Sequence, residues 1–284
     1  MAHIDTLIDD IYKTLEDGIE NVTVKKRDAI YKCGTEVMEA ITRAVTEKRD
    51  NSNPTLRMSQ IGKPSRQVWY DMKNTNREPI TGQTKIKFLF GDILESLLLC
   101  LAQLANHEVS EQQKTVEVDG IKGHTDCRID GVLVDVKSAS PYAFKKFKDS
   151  TLSTDDPFGY IAQISGYAEA QGDKEAAFFA IDKSSAELVL MKVHSMQMIN
   201  ASDRINELKS VVGKDTPPPR CYTDEADGAS GNRKLAIGCV YCPFKKSCWS
   251  DANGGMGLRA FKYSNGVRYL TVTAKLPNVE EVAA

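Results

Sequence analysis

Between residues 115 and 138 apolar and polar residues alternate, and two Asp-Gly dipeptides interrupt the alternation. Thr115-Val116-Glu117-Val118 ends at Asp119-Gly120, residues 121–129 end at Asp130-Gly131, and residues 132–138 follow. A period of two sends successive side chains to opposite faces of a strand. Asp-Gly between such runs is the strongest short hairpin signal, because the tight turn needs positive φ at both residues. The stretch therefore predicts an antiparallel meander of three strands.

On both sides the period becomes helical. Ile4, Leu7, Ile8, Ile11, Tyr12 and Leu15 form one amphipathic stripe, and Ile30, Cys33, Val37, Ile41 and Ala44 form a second. Residues 86–105 are apolar nearly all round, which predicts a buried helix. Glu95 inside it is costly unless paired or bound to metal. Residues 157–170 read as a helix begun by Asp155 or Asp156 and stopped by Gly172. Residues 176–181 and 188–193 read as strands, residues 196–211 as a helix, and Pro217-Pro218-Pro219 as a linker. This order predicts an α/β (mixed α+β) chain with a central mixed sheet flanked by helices. Three regions are expected: N-terminal helices over 1–55, a core over 56–215, and a small cysteine-rich, basic appendage over 216–284 packing on the core.

The 284 residues carry 37 Lys+Arg against 39 Asp+Glu, a net charge of -2 that excludes a globally basic nucleic-acid coat but not a local basic groove. The opening Met1-Ala2-His3-Ile4-Asp5 turns acidic at once, so no secretory leader is expected. The most apolar stretch, 88–105, carries Asp92 and Glu95, so no membrane span is expected. The chain reads as cytoplasmic, where clustered cysteines serve as metal ligands or redox groups more often than as disulfides.

Val134-Asp135-Val136-Lys137 is the most informative tetrapeptide. In a strand, Asp135 and Lys137 share one face and the two valines the other. The preceding strand carries Gly123-His124-Thr125-Asp126, and a hairpin brings Asp126 alongside Asp135. Two carboxylates and a lysine then converge, with Glu95 available from the helix. Such a group suits Mg²⁺ or Mn²⁺, which take oxygen ligands. On the helix that follows, Gln163 and Tyr167 lie four apart on one face.

Glu95, Gly123-His124-Thr125-Asp126, Asp135-Val136-Lys137 and Gln163-Ile164-Ser165-Gly166-Tyr167, in this order, resemble the motifs of the PD-(D/E)XK nuclease superfamily. The likeness is to its RecB-type branch, with phage exonucleases and CRISPR-associated iron–sulfur nucleases. It spans about residues 56–250 and implies a restriction-endonuclease-like core. Glu95, Asp126, Asp135 and the backbone carbonyl of Val136 would then hold the metal. Lys137 would be the catalytic lysine, with Gln163 and Tyr167 positioning it and the DNA backbone.

Cys239, Cys242 and Cys248 form C-x2-C-x5-C, and Cys221 lies upstream. Four thiolates can close a zinc site or hold a [4Fe–4S] cluster. The iron–sulfur relatives take one ligand from a segment before the core. The matching segment here places Ser65 where that cysteine is expected, which leaves Cys221 as the replacement, an incomplete site, or zinc as the alternatives.

From 229 to 275 the chain has eight basic residues and one acid, Asp251, with aromatic residues among them. Basic groups can hold phosphates while aromatic rings stack unpaired bases. Arg66, Lys145, Lys146, Lys245 and Lys246 are the candidate DNA contacts. The expected function is a metal-dependent DNA nuclease, an exonuclease ahead of an endonuclease. It would work in replication, recombination or degradation of DNA, beside phage or host proteins of those processes. A non-catalytic DNA-binding or assembly module and a zinc-dependent adaptor are the rival readings.

Overall fold

The structure is a computed structural model and describes residues 3–47, 54–73 and 77–284. Helices α1 (Leu7–Asp17), α2 (Val24–Thr46), α3 (Ser65–Met72) and α4 (Gly82–Leu104) come first. Strands β1 (Val109–Ser110), β2 (Thr115–Val118), β3 (Ile121–His124), β4 (Cys127–Ile129) and β5 (Val132–Ala139) follow. Then come α5 (Pro141–Lys148), α6 (Tyr160–Gln171), β6 (Glu175–Asp182), β7 (Leu188–His194) and α7 (Ala201–Val212). The last part holds β8 (Glu225–Ala226), β9 (Arg233–Lys234), the single turns α8 (Ile237–Val240), α9 (Lys245–Cys248) and α10 (Ala252–Gly255), and strands β10 (Arg259–Tyr263), β11 (Gly266–Val272) and β12 (Glu281–Val282). The described residues form two compact units. One takes 3–47, 56–62 and 80–206; the other takes 54–55, 63–73, 77–79 and 207–284.

The first unit is built on a mixed sheet of order β1-β4-β5-β6-β7. The β5–β6 pair is parallel and the other pairs are antiparallel. A parallel pair needs a crossover, and α5 and α6 lie in it. This is the α/β arrangement expected, a central mixed sheet flanked by helices. Val134 and Val136 enter the core with Ile4, Leu7 and Ile11 at the N-terminus and Leu98 and Ala102 of α4. That leaves Asp135 and Lys137 on the opposite face. Both Asp-Gly turns form as the sequence demands: φ is 48° and 77° at Asp119-Gly120, and 50° and 85° at Asp130-Gly131.

The expected meander is broken. Strands β2 and β3 form their own two-stranded sheet, and only β4 and β5 continue into the large one. The break falls at Thr125-Asp126. In the β4–β5 register Cys127 lies opposite Val134, so an unbroken strand would place Thr125 opposite Val136. Instead the Val136 N–H donates to Asp126 Oδ2 at 2.7 Å. A carboxylate has replaced a ladder acceptor, and the strand bends to deliver it.

Helix α4 also departs from expectation. Leu98, Leu99 and Ala102 are buried, but Ile86, Phe88 and Phe90 are each more than half exposed. Only the C-terminal turns reach the sheet, so apolar composition alone overstated the burial. Helix α6 starts at Gly159, whose φ of 73° only glycine adopts without strain. Asp156 Oδ2 accepts the Ile161 N–H at 2.8 Å, and Gly172 ends the helix at φ 74°.

The second unit carries an antiparallel sheet of order β12-β10-β11-β9-β8. The sequence reading did not resolve it, because β8, β9 and β12 are two residues each and show no alternation. Its apolar packing gathers Trp69, Tyr70, Val211 and Phe244 in one cluster and Leu235, Trp249, Ala252 and Leu258 in another.

Candidate active site

Strand β5 supplies the centre of the site. Asp135 is 2% exposed, and the Lys137 ammonium forms an ion pair with its carboxylate. Asp135 Oδ1 is buried with no hydrogen-bond partner among the described residues. A buried oxygen of this kind requires an explanation. Asp126 reaches the same place from the β3–β4 break, held by the Val136 N–H. Glu95 projects from α4, with Oε1 accepting from Gln113 Nε2 at 3.0 Å. From α6, Gln163 Nε2 donates to the Tyr167 hydroxyl at 3.1 Å.

The electrostatics join these residues into one group. Burial, then the negative charge of Asp135, pushes Glu95 from 4.5 up to about 7. Burial likewise raises Asp126 well above the carboxylate range, reinforced by Asp135 and Glu95. Burial pulls the Lys137 ammonium down, but Asp135 and Asp126 outweigh it and the net shift is upward. Burial raises the Tyr167 hydroxyl to about 12, so it stays protonated as a donor. Three carboxyl groups thus repel one another around a single ammonium, an arrangement that a divalent cation relieves.

No group of three or more His, Cys, Asp or Glu side chains is closed to metal-binding distance among the described residues. The donor chemistry nonetheless fits a hard cation: Glu95, Asp126 and Asp135 are oxygen donors, and one oxygen of Asp135 is unspent. A cleft of about 470 Å³ opens onto Glu95 and Asp126, with Glu36, Glu39 and Arg43 of α2 as its far wall.

Two neighbours of the site escaped the sequence reading. Gln113 lies in the loop before β2, where no periodicity marks it. Tyr160 carries the Lys137 ammonium 5.1 Å from its ring centre. Its signal was present, since Tyr160, Gln163 and Tyr167 are spaced three and four apart and share a helix face. Close packing fixes that face. A Cβ at Gly123 would lie 2.7 Å from Tyr167 Cε1, and one at Gly62 would lie 2.1 Å from the Gly159 carbonyl oxygen.

In the second unit Cys221, Cys239, Cys242 and Cys248 line one small pocket of about 30 Å³, together with Arg66 and Trp249. Burial raises Cys239, and raises Cys242 to about 11; neighbouring cysteines add to both shifts. Arg66 Nε donates to Cys248 Sγ at 3.1 Å. Burial also raises Cys221, opposed by the N–H groups of Arg66 and Gln67 at the start of α3. Ser65 does not line the pocket; its hydroxyl donates to Glu207 Oε1 at 3.1 Å.

The candidate DNA contacts separate by exposure. Lys145 and Lys246 hold exposed ammonium groups. Lys146 is 9% exposed and pairs with Asp155 at 2.8 Å. Lys245 is buried, pairs with Glu78 and lies over the Tyr269 ring. The basic excess of 229–275 is offset by acids flanking that window: Arg233 pairs with Asp224, Arg268 with Asp227, and Arg259 with Glu281. Of the aromatic residues there, Phe244, Trp249 and Phe261 are buried, while Tyr241 is open to solvent.

No protein-family model and no curated protein sequence matches the chain. Among solved structures it is similar to SSO0001, at 14% identity and a TM-score of 0.42, over 74% of this chain and 93% of that one. It is also similar to a phage related exonuclease from Haemophilus somnus 129PT, at 14% identity and a TM-score of 0.37, over 55% and 88%. A third is an alkaline exonuclease, LHK-Exo, from Laribacter hongkongensis, at 10% identity and a TM-score of 0.31, over 56% and 90%. At these TM-scores the likenesses decide nothing about the chemistry of this chain. No helix among the described residues is long and apolar enough to cross a membrane.

Proposed function

We propose that the chain is a metal-dependent DNA nuclease of the PD-(D/E)XK type, RecB-like, acting as an exonuclease in the cytoplasm. The observation that carries this reading is the buried Asp135, paired with Lys137 and crowded by Asp126 and Glu95, with one oxygen unspent. A surface ion pair needs none of that burial.

Glu95, Asp126, Asp135 and the carbonyl of Val136 would hold Mg²⁺ or Mn²⁺. Such an ion, when bound, polarises the scissile phosphate and lowers the pKa of water. Lys137, fixed between Asp135 and the Tyr160 ring, orients the attacking water and offsets charge on the phosphoryl oxygens. The protonated Tyr167 and Gln163 form a donor pair beside it for a non-bridging oxygen. Exposed Lys145 and Lys246 contact the DNA backbone, while Lys146, Lys245 and Arg66 serve it through the elements they pin. Cys221, Cys239, Cys242 and Cys248 hold a [4Fe–4S] cluster or Zn²⁺ as a structural staple of the second unit, with Cys221 in the role that Ser65 cannot fill. Replication and recombination proteins of a phage or its host are the expected company.

The test is incubation with linear and covalently closed DNA in Mg²⁺, Mn²⁺ or EDTA. Metal-dependent loss of linear DNA only, abolished by Asp135→Asn, is expected. Cutting of closed circles refutes the exonuclease assignment, and no cleavage by metal-replete protein refutes the nuclease.

A further inference from the structure

Phe158 is 57% exposed, yet it belongs to the aromatic group that holds Lys137. Its ring stacks on Tyr160 at 5.5 Å between centres and 27° between planes. The Lys137 ammonium lies 5.1 Å from the centre of the same Tyr160 ring. The Phe158 ring therefore stands no farther from Lys137 than these two distances laid end to end. A DNA strand covers that span in about three nucleotides at the duplex rise of ~3.4 Å, and in fewer when extended.

A single exposed apolar side chain needs no explanation by itself. Phe158 is set apart by its place and by how firmly it is held. The backbone of Gly159, the next residue, lies so close to that of Gly62 that a Cβ on either would collide with the other's carbonyl oxygen. Before it, Asp156 Oδ2 accepts the Ile161 N–H at 2.8 Å. The chain is fixed on both sides of Phe158, so its ring is ready to stack a base without first being ordered.

The surroundings favour one unpaired strand over a duplex. Helix α5 reaches the Tyr160 ring through Phe147, stacked at 6.0 Å and 27°. It exposes Tyr142, 76% open, and Lys145, 4.0 Å from Asp149. Lys146 ties α5 to the segment before Phe158: its Nζ lies 5.1 Å from the Tyr142 ring centre and 2.8 Å from Asp155. Open rings and an open ammonium are what a single strand needs, since its bases stack and its phosphates seek charge. A duplex instead keeps its bases stacked on one another and brings a second row of phosphates. Across the catalytic cleft stand Glu36, Glu39 and Asp92. Arg43 pairs with Asp92 at 3.6 Å and Lys32 lies 3.8 Å from Glu36, which leaves that wall net negative against a second row.

We infer that Phe158 stacks an unpaired base beside the scissile phosphate, and that the substrate of this site is single-stranded DNA. The inference rests on the nuclease reading, which puts the cleaved phosphate next to Lys137. The flat ring is what matters: leucine fills much of the same volume but offers a base no aromatic face, whereas tryptophan offers a larger one.

The test is a fluorescence titration of single-stranded DNA carrying 2-aminopurine at successive positions from either end. The full chain is used with Asp135→Asn, so that binding is read without cleavage. Quenching of the bound 2-aminopurine by stacking is expected at a defined position. Phe158→Trp should keep it, while Phe158→Leu should abolish it and weaken single-strand binding about tenfold. With Asp135 intact and Mg²⁺ present, Phe158→Leu should raise KM for single-stranded DNA about tenfold with kcat little changed. Quenching that survives Phe158→Leu overturns the inference, as does wild-type protein that binds and cuts blunt duplex as well as a single strand. No cleavage of any DNA overturns the nuclease reading instead, and the quenching still decides whether Phe158 holds an unpaired base.

Discussion

Glu95 offers the sharpest test of the site's electrostatics, because its carboxyl is raised from 4.5 to about 7 by burial and by Asp135. An acid whose folded pKa lies above its unfolded value binds its proton more tightly when folded. Its contribution is complete below pH 4.5 and is lost as pH rises toward 7. At about 1.4 kcal/mol per decade, the loss is about 3 kcal/mol, complete by pH 8. Glu95→Gln has no proton to lose. Urea unfolding of both proteins in EDTA at pH 4.5 and pH 8 gives the difference, with the titrating groups remote from Glu95 cancelling between them and Asp126, itself raised in part by Glu95, titrating with it. The wild type is expected to fall relative to Glu95→Gln by about 3 kcal/mol across this interval. Mg²⁺ at pH 8 should restore the wild type and leave Glu95→Gln unmoved. A relative stability that is flat between the two pH values refutes the raised carboxyl of Glu95, and with it the reading of Glu95 as buried beside Asp135.

Lys137→Ala should lower cleavage by about 10²–10³-fold or more while leaving DNA affinity, measured by fluorescence anisotropy, within a few-fold. If the four cysteines hold the metal proposed for them, elemental analysis of Cys242→Ser should show it lost and the thermal midpoint should fall, because folding and metal binding are linked. Gly62→Ala drives a Cβ into the Gly159 carbonyl oxygen, so calorimetry should show a loss of about 2 kcal/mol or more. Cleavage should fall with it, since Gly159 sets the position of Tyr160.

Much of the first unit was legible because its signals are local. Asp-Gly dipeptides dictate two turns, and the alternation around Asp135 and Lys137 places them on one face. What was hidden depends on partners distant in sequence. Asp126 breaks its own strand to accept the Val136 N–H ten residues away, which no alternation records. His107 reads as an ordinary residue after a helix, yet it is 1% exposed and its Nδ1 lies 2.6 Å from Asp130 Oδ2. Asp130 thus supports a buried histidine as well as its turn. The basic run after residue 229 looked like a DNA track because Asp224, Asp227 and Glu281 fall outside it in sequence and beside it in space. The apolar stripes of α2 and α4 showed that these are helices, but not which stripe the unit would leave uncovered.

The central claim is that Glu95, Asp126 and Asp135 form one cation site. Calorimetric titration of Mn²⁺, which prefers oxygen over sulfur donors, into wild type and Asp135→Asn at pH 8 tests it most directly. Saturable binding with proton release in the wild type, lost in Asp135→Asn, is the expected result. Equal binding by both proteins would contradict it.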